Sequence, residues 1–464
     1  MANVRELRFN ARVDTHSSVA IIGAGVSGLA VATRLVERGQ PITVIDSGSR
    51  AGGAIQTTLK DGYLAEHGPN SLLVRDQRLL NLMETIGAHS VLACDEAKKR
   101  YIVQNGKPHA MPSSPLGMLT TPLFSMRGKL RFCIEPLIGR YGGNGEECFA
   151  DFVTRRLGKE MLESAAGPFV SGIYAGDPAK LAVRHAFPRL WNLEKNHRSF
   201  ILGALALQFS GNKDPNRLSP ARMVSFEKGM GELPQAMANH LPSGALQLNS
   251  QVSAITSTNG RWDVSWTDEN GKSETKSFGK LVLAVPHHKL LELPLPDAIR
   301  DKLTVVSKID SPAVTSLVLG FKRKQVAHPL DGFGMLIKAA EKSPLLGVLF
   351  SSSMFNGRAP EDRVTLTCMM GGVAHPEFAK NSDEIVLAEL RKLLGVSGEP
   401  TFSHRTSWQK AIPQYGLDYQ QVINAINATE KEHKGLHLAG NYRGGISVSD
   451  CLLNGLNLGE QLAK

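Results

Sequence analysis

Apolar positions along the chain fall into short runs and into helical stripes. Val19–Ile22 is an apolar run ending at Gly23, which predicts a buried strand. From Gly28 to Arg38, Leu29, Ala32, Leu35 and Val36 recur on one side of a helix. Pro41–Ile45 is a second apolar run. Strand, helix and strand in this order predict a βαβ unit at the start of a parallel sheet. Residues 101–221 differ: prolines at 108, 112, 115, 122 and 136 precede helical stretches at Glu147–Leu162 and Phe200–Phe209. This predicts a mostly helical insertion. Val224–Leu241 returns to strand and helix, and Gln251–Ile255, Trp262–Trp266 and Lys276–Val285 predict a meander. Residues 291–432 mix strands (Thr315–Phe321, Gly347–Ser351, Arg363–Met369) with a helix at Ser382–Leu394. A short strand at Leu436–Leu438 and a helix at Ser449–Leu462 close the chain, and no repeat of 20–50 residues occurs.

Composition narrows the class. At about 150 residues per domain, 464 residues predict about three domains. Hydrophobic residues at 42% and charged residues at 21% are globular proportions. The five cysteines stand singly at 94, 133, 148, 368 and 451, with no C-x-x-C pair. That excludes a disulfide scaffold and argues against structural zinc or a dithiol centre. The net charge of +10 is modest over a surface this large and suits a soluble basic enzyme; the sharper readings are an anionic ligand or an anionic membrane surface. Nucleic acid is not expected, because long Lys/Arg runs and zinc-finger or RNA-reading patterns are missing. The polar first 18 residues lack a signal-peptide core, and no run of 18 apolar residues occurs. The expected location is the cytoplasm or the cytoplasmic face of a membrane.

The chemistry begins at Gly23-Ala-Gly25-Val26-Ser27-Gly28, a G-x-G-x-x-G between a strand and a helix. An acid, Asp46, ends the next strand at the spacing of a dinucleotide site. Gly23 permits a tight turn, Gly25 lets the backbone approach a pyrophosphate, and Gly28 lets helix pack on strand. The helix N-terminus attracts phosphate charge, and Asp46 is placed to accept from a ribose diol. Ser47 follows, and Arg50-Ala-Gly52-Gly53-Ala54 then resembles the second half of the FAD fingerprint in the amine oxidase and phytoene desaturase group of flavoproteins. Glu66-His-Gly68-Pro69-Asn70-Ser71 resembles the segment that reaches the flavin ring in that group. A third element is Leu438-Ala-Gly440-Asn-Tyr-Arg-Gly444-Gly445-Ile446-Ser447-Val448-Ser-Asp450. It predicts a helix N-terminus facing the ribityl chain and the flavin N1/O2 edge. The resemblance implies one non-covalent FAD per chain, with the backbone of Val252 on the adenine and Trp408 near the flavin.

Phe169-Val-Ser-Gly-Ile-Tyr-Ala175-Gly176-Asp177, Ala411-Ile-Pro-Gln-Tyr415, Gly332-Phe-Gly-Met-Leu336, Gly347-Val-Leu-Phe-Ser-Ser352 and Leu438–Cys451 are similar to the protoporphyrinogen oxidase family. The likeness runs from about residue 19 to the end. It implies a discontinuous Rossmann-like, glutathione-reductase-like FAD domain (1–75, 222–290, 433–464), a mixed-sheet substrate domain (76–100, 291–432) and a helical, membrane-associating insertion (101–221). It also implies oxidation of protoporphyrinogen IX by O2 in three two-electron steps, with flavin N5 as hydride acceptor and three H2O2 released. No catalytic side chain is named and no metal is expected. Arg100 matches a propionate-binding arginine, and a bidentate guanidinium suits a carboxylate. Phe333, Leu336, Leu349 and Met369 match positions that sandwich the flat ring, and Ala175 and Gly176 match a turn beside it. Asp46 stands where glutamate is usual, and Asn70 stands where some members have arginine. The basic and apolar mix of Met118, Leu119, Leu123, Phe124, Met126 and Ile134 with Arg127, Lys129 and Arg131 suits anionic headgroups. Coproporphyrinogen III as substrate, an amine oxidase and a non-catalytic flavin or porphyrin carrier stay open, as does a homodimer.

Overall fold

A computed structural model describes residues 18–209 and 215–464, so the polar lead before Ser18 lies outside the described residues. The architecture is mixed α/β, with no closed barrel among the described residues. A five-stranded parallel sheet runs in the order Leu246–Gln247, Ile42–Ile45, Val19–Ile22, Lys280–Leu283, Leu436–Leu438. Its strands thus come from four distant parts of the chain. Alternate residues feed two cores, because side chains on a strand alternate faces. Val19, Ile21, Val44 and Val282 pack under the helices Val26–Glu37 and Val448–Leu462. Ala20, Ile22, Ile45, Leu281 and Leu283 pack on the other side, against the meander Gln251–Thr258, Arg261–Thr267 and Ser273–Phe278. The first and last helices lie close: a Cβ at Gly455 would stand 2.6 Å from the Ser27 carbonyl oxygen.

A seven-stranded mixed sheet follows the order Phe402–Trp408, Val314–Lys322, Arg363–Gly371, Leu345–Leu349, Gly334–Ile337, Arg100–Gln104, Lys107–Ala110. One face (Leu317, Leu319, Leu366, Cys368, Val348, Met335, Ile337) is apolar and covered by the helix Asp383–Leu394. The other face remains for the site.

Three local expectations change. Lys276–Val285 is two strands, not one: Ser273–Phe278 ends the meander, and Lys280–Leu283 enters the parallel sheet after Gly279. The helix expected over Glu147–Leu162 spans Phe149–Leu157, because Gly158 takes φ +92°. It resumes briefly and passes through a π-helical turn, Leu162–Ala166, into the helix Gly167–Tyr174. The stretch expected to be helical from residue 101 opens instead with the hairpin Arg100–Gln104/Lys107–Ala110, part of the seven-stranded sheet. Gln77–Thr85 packs in the same core as the parallel sheet through Leu79, Leu82 and Met83.

The helical region is held by charge as well as by apolar contact. Arg156 and Glu135 are fully buried, with Arg156 Nη1 3.3 Å from Glu135 and Nε 3.1 Å from Glu194. Arg155 bridges Glu147 and Glu194 at 2.8 Å each. No helix among the described residues is long and apolar enough to cross a membrane.

Candidate functional site

The three glycines of the first loop serve different ends. A Cβ at Gly23 would stand 2.6 Å from the Ala284 carbonyl oxygen, and one at Gly28 2.1 Å from the Gly23 carbonyl oxygen. Packing alone demands both. At Gly25 a Cβ meets nothing within 4 Å, and the backbone has φ −70°, ψ 170°, open to any residue. Gly25 caps the helix Val26–Glu37 without a side-chain hydrogen bond, and no acid occupies the first turn. A helix N-terminus with uncapped N–H groups beside open space is an anion cradle. The donor set therefore fits a dinucleotide pyrophosphate.

The second loop folds over the first. Gly52 N–H donates to the Ala24 carbonyl at 2.8 Å, and Gly25 and Gly52 form an isolated parallel bridge. Asp46 accepts from Ala24 N–H at 2.6 Å and from Gly48 N–H at 2.7 Å, so its carboxylate is fixed at the strand end. Ser47 beside it is exposed. Ser250 N–H donates to the Asp46 carbonyl, which brings Val252, at a bulge in its strand, to the same place. Arg50 is exposed and hydrogen-bonded to Gln56, which in turn donates to the Gly53 carbonyl at 2.8 Å. A Cβ at Gly68 would stand 2.7 Å from the Ala54 carbonyl oxygen, so the Gly68–Ser71 segment lies on this loop. Asn70 donates to the Gly68 carbonyl at 3.0 Å, and Pro69 and Ser71 are half-buried. Trp408 donates its indole N–H to the His67 carbonyl at 2.8 Å, so this side chain positions the segment.

The C-terminal glycine loop joins them. Ser449 donates to the Leu73 carbonyl at 2.6 Å, just beyond Ser71. Gly440 and Gly445 take φ +149° and +129°; a Cβ at Gly445 would strike the Asp450 side chain at 2.5 Å. Ser447 caps the helix Val448–Leu462 by accepting from Asp450 N–H at 3.1 Å, and Ile446 packs on the core beside it. The buried Tyr415 hydroxyl donates to the Asn441 carbonyl at 2.6 Å and accepts from Gly445 N–H at 3.1 Å. Burial drives that phenol well above its usual pKa, so it stays a neutral donor. Gln414 donates to the Tyr174 carbonyl at 2.8 Å, and Val373 N–H to the Ala175 carbonyl at 2.8 Å. Gly176 lies against the Gln414 amide. The segments 169–177, 411–415 and 438–451, distant in sequence, thus meet in one place.

The opposite face of the seven-stranded sheet carries the apolar set; Tyr63 and Ala65 cover it at Val318, and Leu123 and Phe124 cover it at Ile102. Strand register sets His404, Val318, Thr367, Leu349, Gly334 and Arg100 in one row. The next row on that face is Thr406, Ser316, Met369, Gly347, Leu336 and Ile102. Leu336, Leu349 and Met369 are half-buried, and Phe333 lies under the Arg100 guanidinium at 5.2 Å. Among the described residues Arg100 forms no ion pair, whereas neighbouring Lys99 is paired with Asp331. Leu336 touches the helix Gly167–Tyr174: a Cβ at Gly172 would lie 2.4 Å from its side chain.

Two groups escaped the sequence reading. Glu66 is buried, accepts from Thr57 Oγ1 at 2.6 Å and Met230 N–H at 2.8 Å, and is raised by burial to about 7. It shares a small cavity with Asn70 and the buried Arg358. His67 and His404 bring their Nε2 atoms to 3.1 Å, and burial lowers His67 to about 4. The pair would show from sequence only if the register of Phe402–Trp408 were known. His287 is also buried and lowered to about 4, but it packs near Ser311 and Tyr442, off the site-bearing sheet face. Among the described residues no cluster of three or more His, Cys, Asp or Glu is placed to hold a metal.

The glycine-lined cradle is joined through the Gly68–Ser71 segment and Trp408 to the sheet that carries the apolar set, an arrangement that suits a flavin-dependent oxidoreductase. The chain belongs to the flavin containing amine oxidoreductase family, whose sequence pattern matches residues 26–461. Within that family it falls among the protoporphyrinogen oxidases: it is 34% identical to the mitochondrial protoporphyrinogen oxidase of Nicotiana tabacum over 96% of this chain and 95% of that one. It is 26% identical to the coproporphyrinogen III oxidase of Bacillus subtilis (strain 168) over 95% and 97% of the two chains. A solved structure from Exiguobacterium sp. 255-15 shares the fold, with TM-score 0.79 at 21% identity over 96% and 98% of the two chains.

Proposed function

We propose that the chain oxidises protoporphyrinogen IX to protoporphyrin IX, with FAD as its flavin and O2 as the final electron acceptor. Six hydrogens leave the substrate in three rounds, and each round reduces one O2 to H2O2. The observation that carries the reading is the half-buried apolar set Phe333, Leu336, Leu349 and Met369 on one sheet face, edged by Arg100, which forms no ion pair among the described residues. When bound, FAD supplies the two-electron acceptor. The residues assigned to it are Gly23, Gly25–Gly28, Asp46, Ser47, Arg50, Gly52–Ala54, Gly68–Ser71, Val252, Trp408, Gly440 and Gly445–Val448. The protein's own work is orientation: Arg100 grips a propionate, the apolar side chains hold the ring flat, and Ala175 and Gly176 close one side. No side chain is assigned a proton transfer. The parallel sheet with its meander is the FAD domain, the seven-stranded sheet the substrate domain, and the helical region a third unit.

The test is one assay on the purified yellow protein with protoporphyrinogen and coproporphyrinogen given separately, reading porphyrin fluorescence and O2 uptake. Turnover of neither would end the proposal. Arg100→Ala is expected to raise KM about tenfold or more while the bound flavin absorbance is unchanged, since a charge-assisted hydrogen bond contributes about 1.5–3 kcal/mol. Loss of flavin in that variant would remove Arg100 from the substrate site.

The helical region is also proposed to rest on an anionic membrane. Nine of the 13 exposed large hydrophobic residues among those described lie between Met126 and Leu205. Met126, Leu130 and Ile134 form one stripe of spacing four, followed by Leu137 at 84% exposure. The basic contribution is narrower than the sequence implies, because Arg131 turns inward to the Arg155 carbonyl while Arg127 stays exposed. Leu130→Asp with Leu137→Asp is expected to abolish flotation with anionic liposomes, whereas Arg131→Gln leaves it in place. Failure of the unaltered protein to float at any salt would remove the proposal.

A further inference from the structure

A buried carboxyl, a cavity and two hydroxyls form a line between the flavin segment and the apolar set. Glu66 ends the strand Tyr63–Glu66, is buried, and forms no ion pair among the described residues. Its Oε1 accepts from Met230 N–H at 2.8 Å and its Oε2 from Thr57 Oγ1 at 2.6 Å. Thr57 Oγ1 in turn accepts from Gly231 N–H at 2.9 Å. Beside Glu66 is a cavity of about 10 Å³, room for one water, with Asn70, Ser351 and Arg358 in its wall. Ser351 Oγ lies 2.7 Å from Thr367 Oγ1. Thr367 is the direct cross-strand partner of Leu349. The line thus runs from Glu66 through the cavity to Ser351 and Thr367, and ends beside the apolar set. Asn70 brings the flavin segment to the same cavity.

Each round of the oxidation takes two hydrogens from the ring. One leaves carbon with its electron pair and travels as hydride; the other leaves nitrogen as a proton. Resting on the porphyrinogen reading above, we propose that Glu66 stores this proton, received through Thr367, Ser351 and one water in the cavity. When O2 accepts the two electrons it needs two protons to become H2O2. One is the hydrogen that travelled as hydride, and Glu66 returns the other, so each round balances and the carboxylate is restored. Both charge states of Glu66 are satisfied in place: the Thr57 hydroxyl donates to the carboxylate and, turned about, accepts from the acid.

Burial raises the Glu66 carboxyl to about 7, while Thr57, Met230 N–H and the Arg358 guanidinium across the cavity limit the rise. A carboxyl in that range both accepts and yields a proton near neutral pH. Arg358 is held by the Ser225 hydroxyl at 2.7 Å and the Phe226 carbonyl at 2.9 Å, so it does not close on Glu66. The other titratable groups nearby, Cys94 and Glu232, act on Arg358. Negative charge gained at the flavin on reduction raises the carboxyl further, which favours uptake at that moment.

The experiment compares the unaltered holoenzyme with Glu66→Gln and Thr367→Val. It reads kcat and KM for protoporphyrinogen across pH, the visible flavin spectrum, the Tm, and the pH dependence of the flavin midpoint potential measured without porphyrinogen. Glu66→Gln is expected to keep its flavin and to lose about a hundredfold in kcat with KM within about twofold. In the unaltered enzyme kcat should fall as pH drops through about 7, because Glu66 is then already protonated, and Glu66→Gln should lack that limb. Above about 7 the midpoint potential should depend less steeply on pH in Glu66→Gln than in the unaltered protein. Thr367→Val breaks the route and spares the store, so it should slow turnover to a similar extent while its potential follows that of the unaltered protein. A fall in Tm and in bound flavin with an unchanged pH profile would make Glu66 an anchor for Thr57 and Met230, and would overturn the inference. Full kcat in Glu66→Gln would also overturn it, and full kcat in Thr367→Val would overturn the route. If the unaltered enzyme does not oxidise the porphyrinogen, the function proposed above fails, while the potentials still decide whether Glu66 takes up a proton when the flavin is reduced.

Discussion

Gly25→Val is expected to give a folded but colourless protein. Gly25 has a backbone conformation that valine adopts freely, and a Cβ there meets no protein atom within 4 Å. Valine is a poorer helix cap than glycine, so flavin-free stability should fall by no more than about 1 kcal/mol. The space the side chain enters is the space assigned to the pyrophosphate, where the backbone must approach closely. FAD affinity should fall at least a hundredfold, about 2.7 kcal/mol. Two controls give the contrast. Gly28→Val drives a side chain into the Gly23 carbonyl, and Gly23→Val adds strain at φ +108° to a clash with Ala284. Both should unfold the protein rather than merely bleach it. The measurements are the visible flavin spectrum after purification and thermal melts of flavin-free protein. A Gly25→Val protein that stays yellow with unchanged affinity would move the pyrophosphate elsewhere.

That contrast also marks how far the sequence could be read. The G-x-G-x-x-G pattern told that three glycines were needed, but not that two answer to packing and one to a ligand. The distinction rests on Ala284, which reaches Gly23 only because Lys280–Leu283 lies beside Val19–Ile22 in the sheet. The strand and helix of the first βαβ unit were legible because buried parallel strands are continuous apolar runs. The site-bearing face of the seven-stranded sheet was not. Arg100, Leu336, Leu349 and Met369 share it through register across four strands, and no periodicity of one segment can reveal that. They were named through family resemblance. Gly158 and Gly279 broke elements that hydrophobic pattern alone would continue, since pattern does not register a positive φ or a change of sheet. Buried charge was the least legible feature. Glu66, Glu135 and Arg156 are buried, and nothing in the sequence marks them out, because charged side chains are almost never fully buried unless paired.

Arg156→Ala is therefore expected to be the most destabilising single change in the helical region. Arg156 and Glu135 are both 0% exposed. Arg156 contacts Glu135 and Glu194, donates to the Ile138 carbonyl at 2.8 Å and to the Arg198 carbonyl, and lies over the Phe200 ring. Glu135 in turn accepts from Ser199 Oγ at 2.5 Å and from the Phe200 and Ile201 N–H groups, capping the apolar helix Phe200–Phe209. Removing the guanidinium leaves a fully buried carboxylate with no cation in contact, which costs about 3–5 kcal/mol. The loss should exceed that of Arg156→Met combined with Glu135→Gln, because the double change removes the charges together instead of stranding one. It should also fall on the helical region first. One side of the parallel sheet packs in a core with no residue between 135 and 200, whereas its other side shares a core with Phe149, Phe152 and Val153, so flavin absorbance in Arg156→Ala should fall only after proteolysis has begun to cut between residues 135 and 200. Urea melts with limited proteolysis of the three proteins measure both effects. A loss below about 1 kcal/mol in Arg156→Ala would mean that water reaches Glu135 once the guanidinium is gone, and that the cluster orders the helices without holding them.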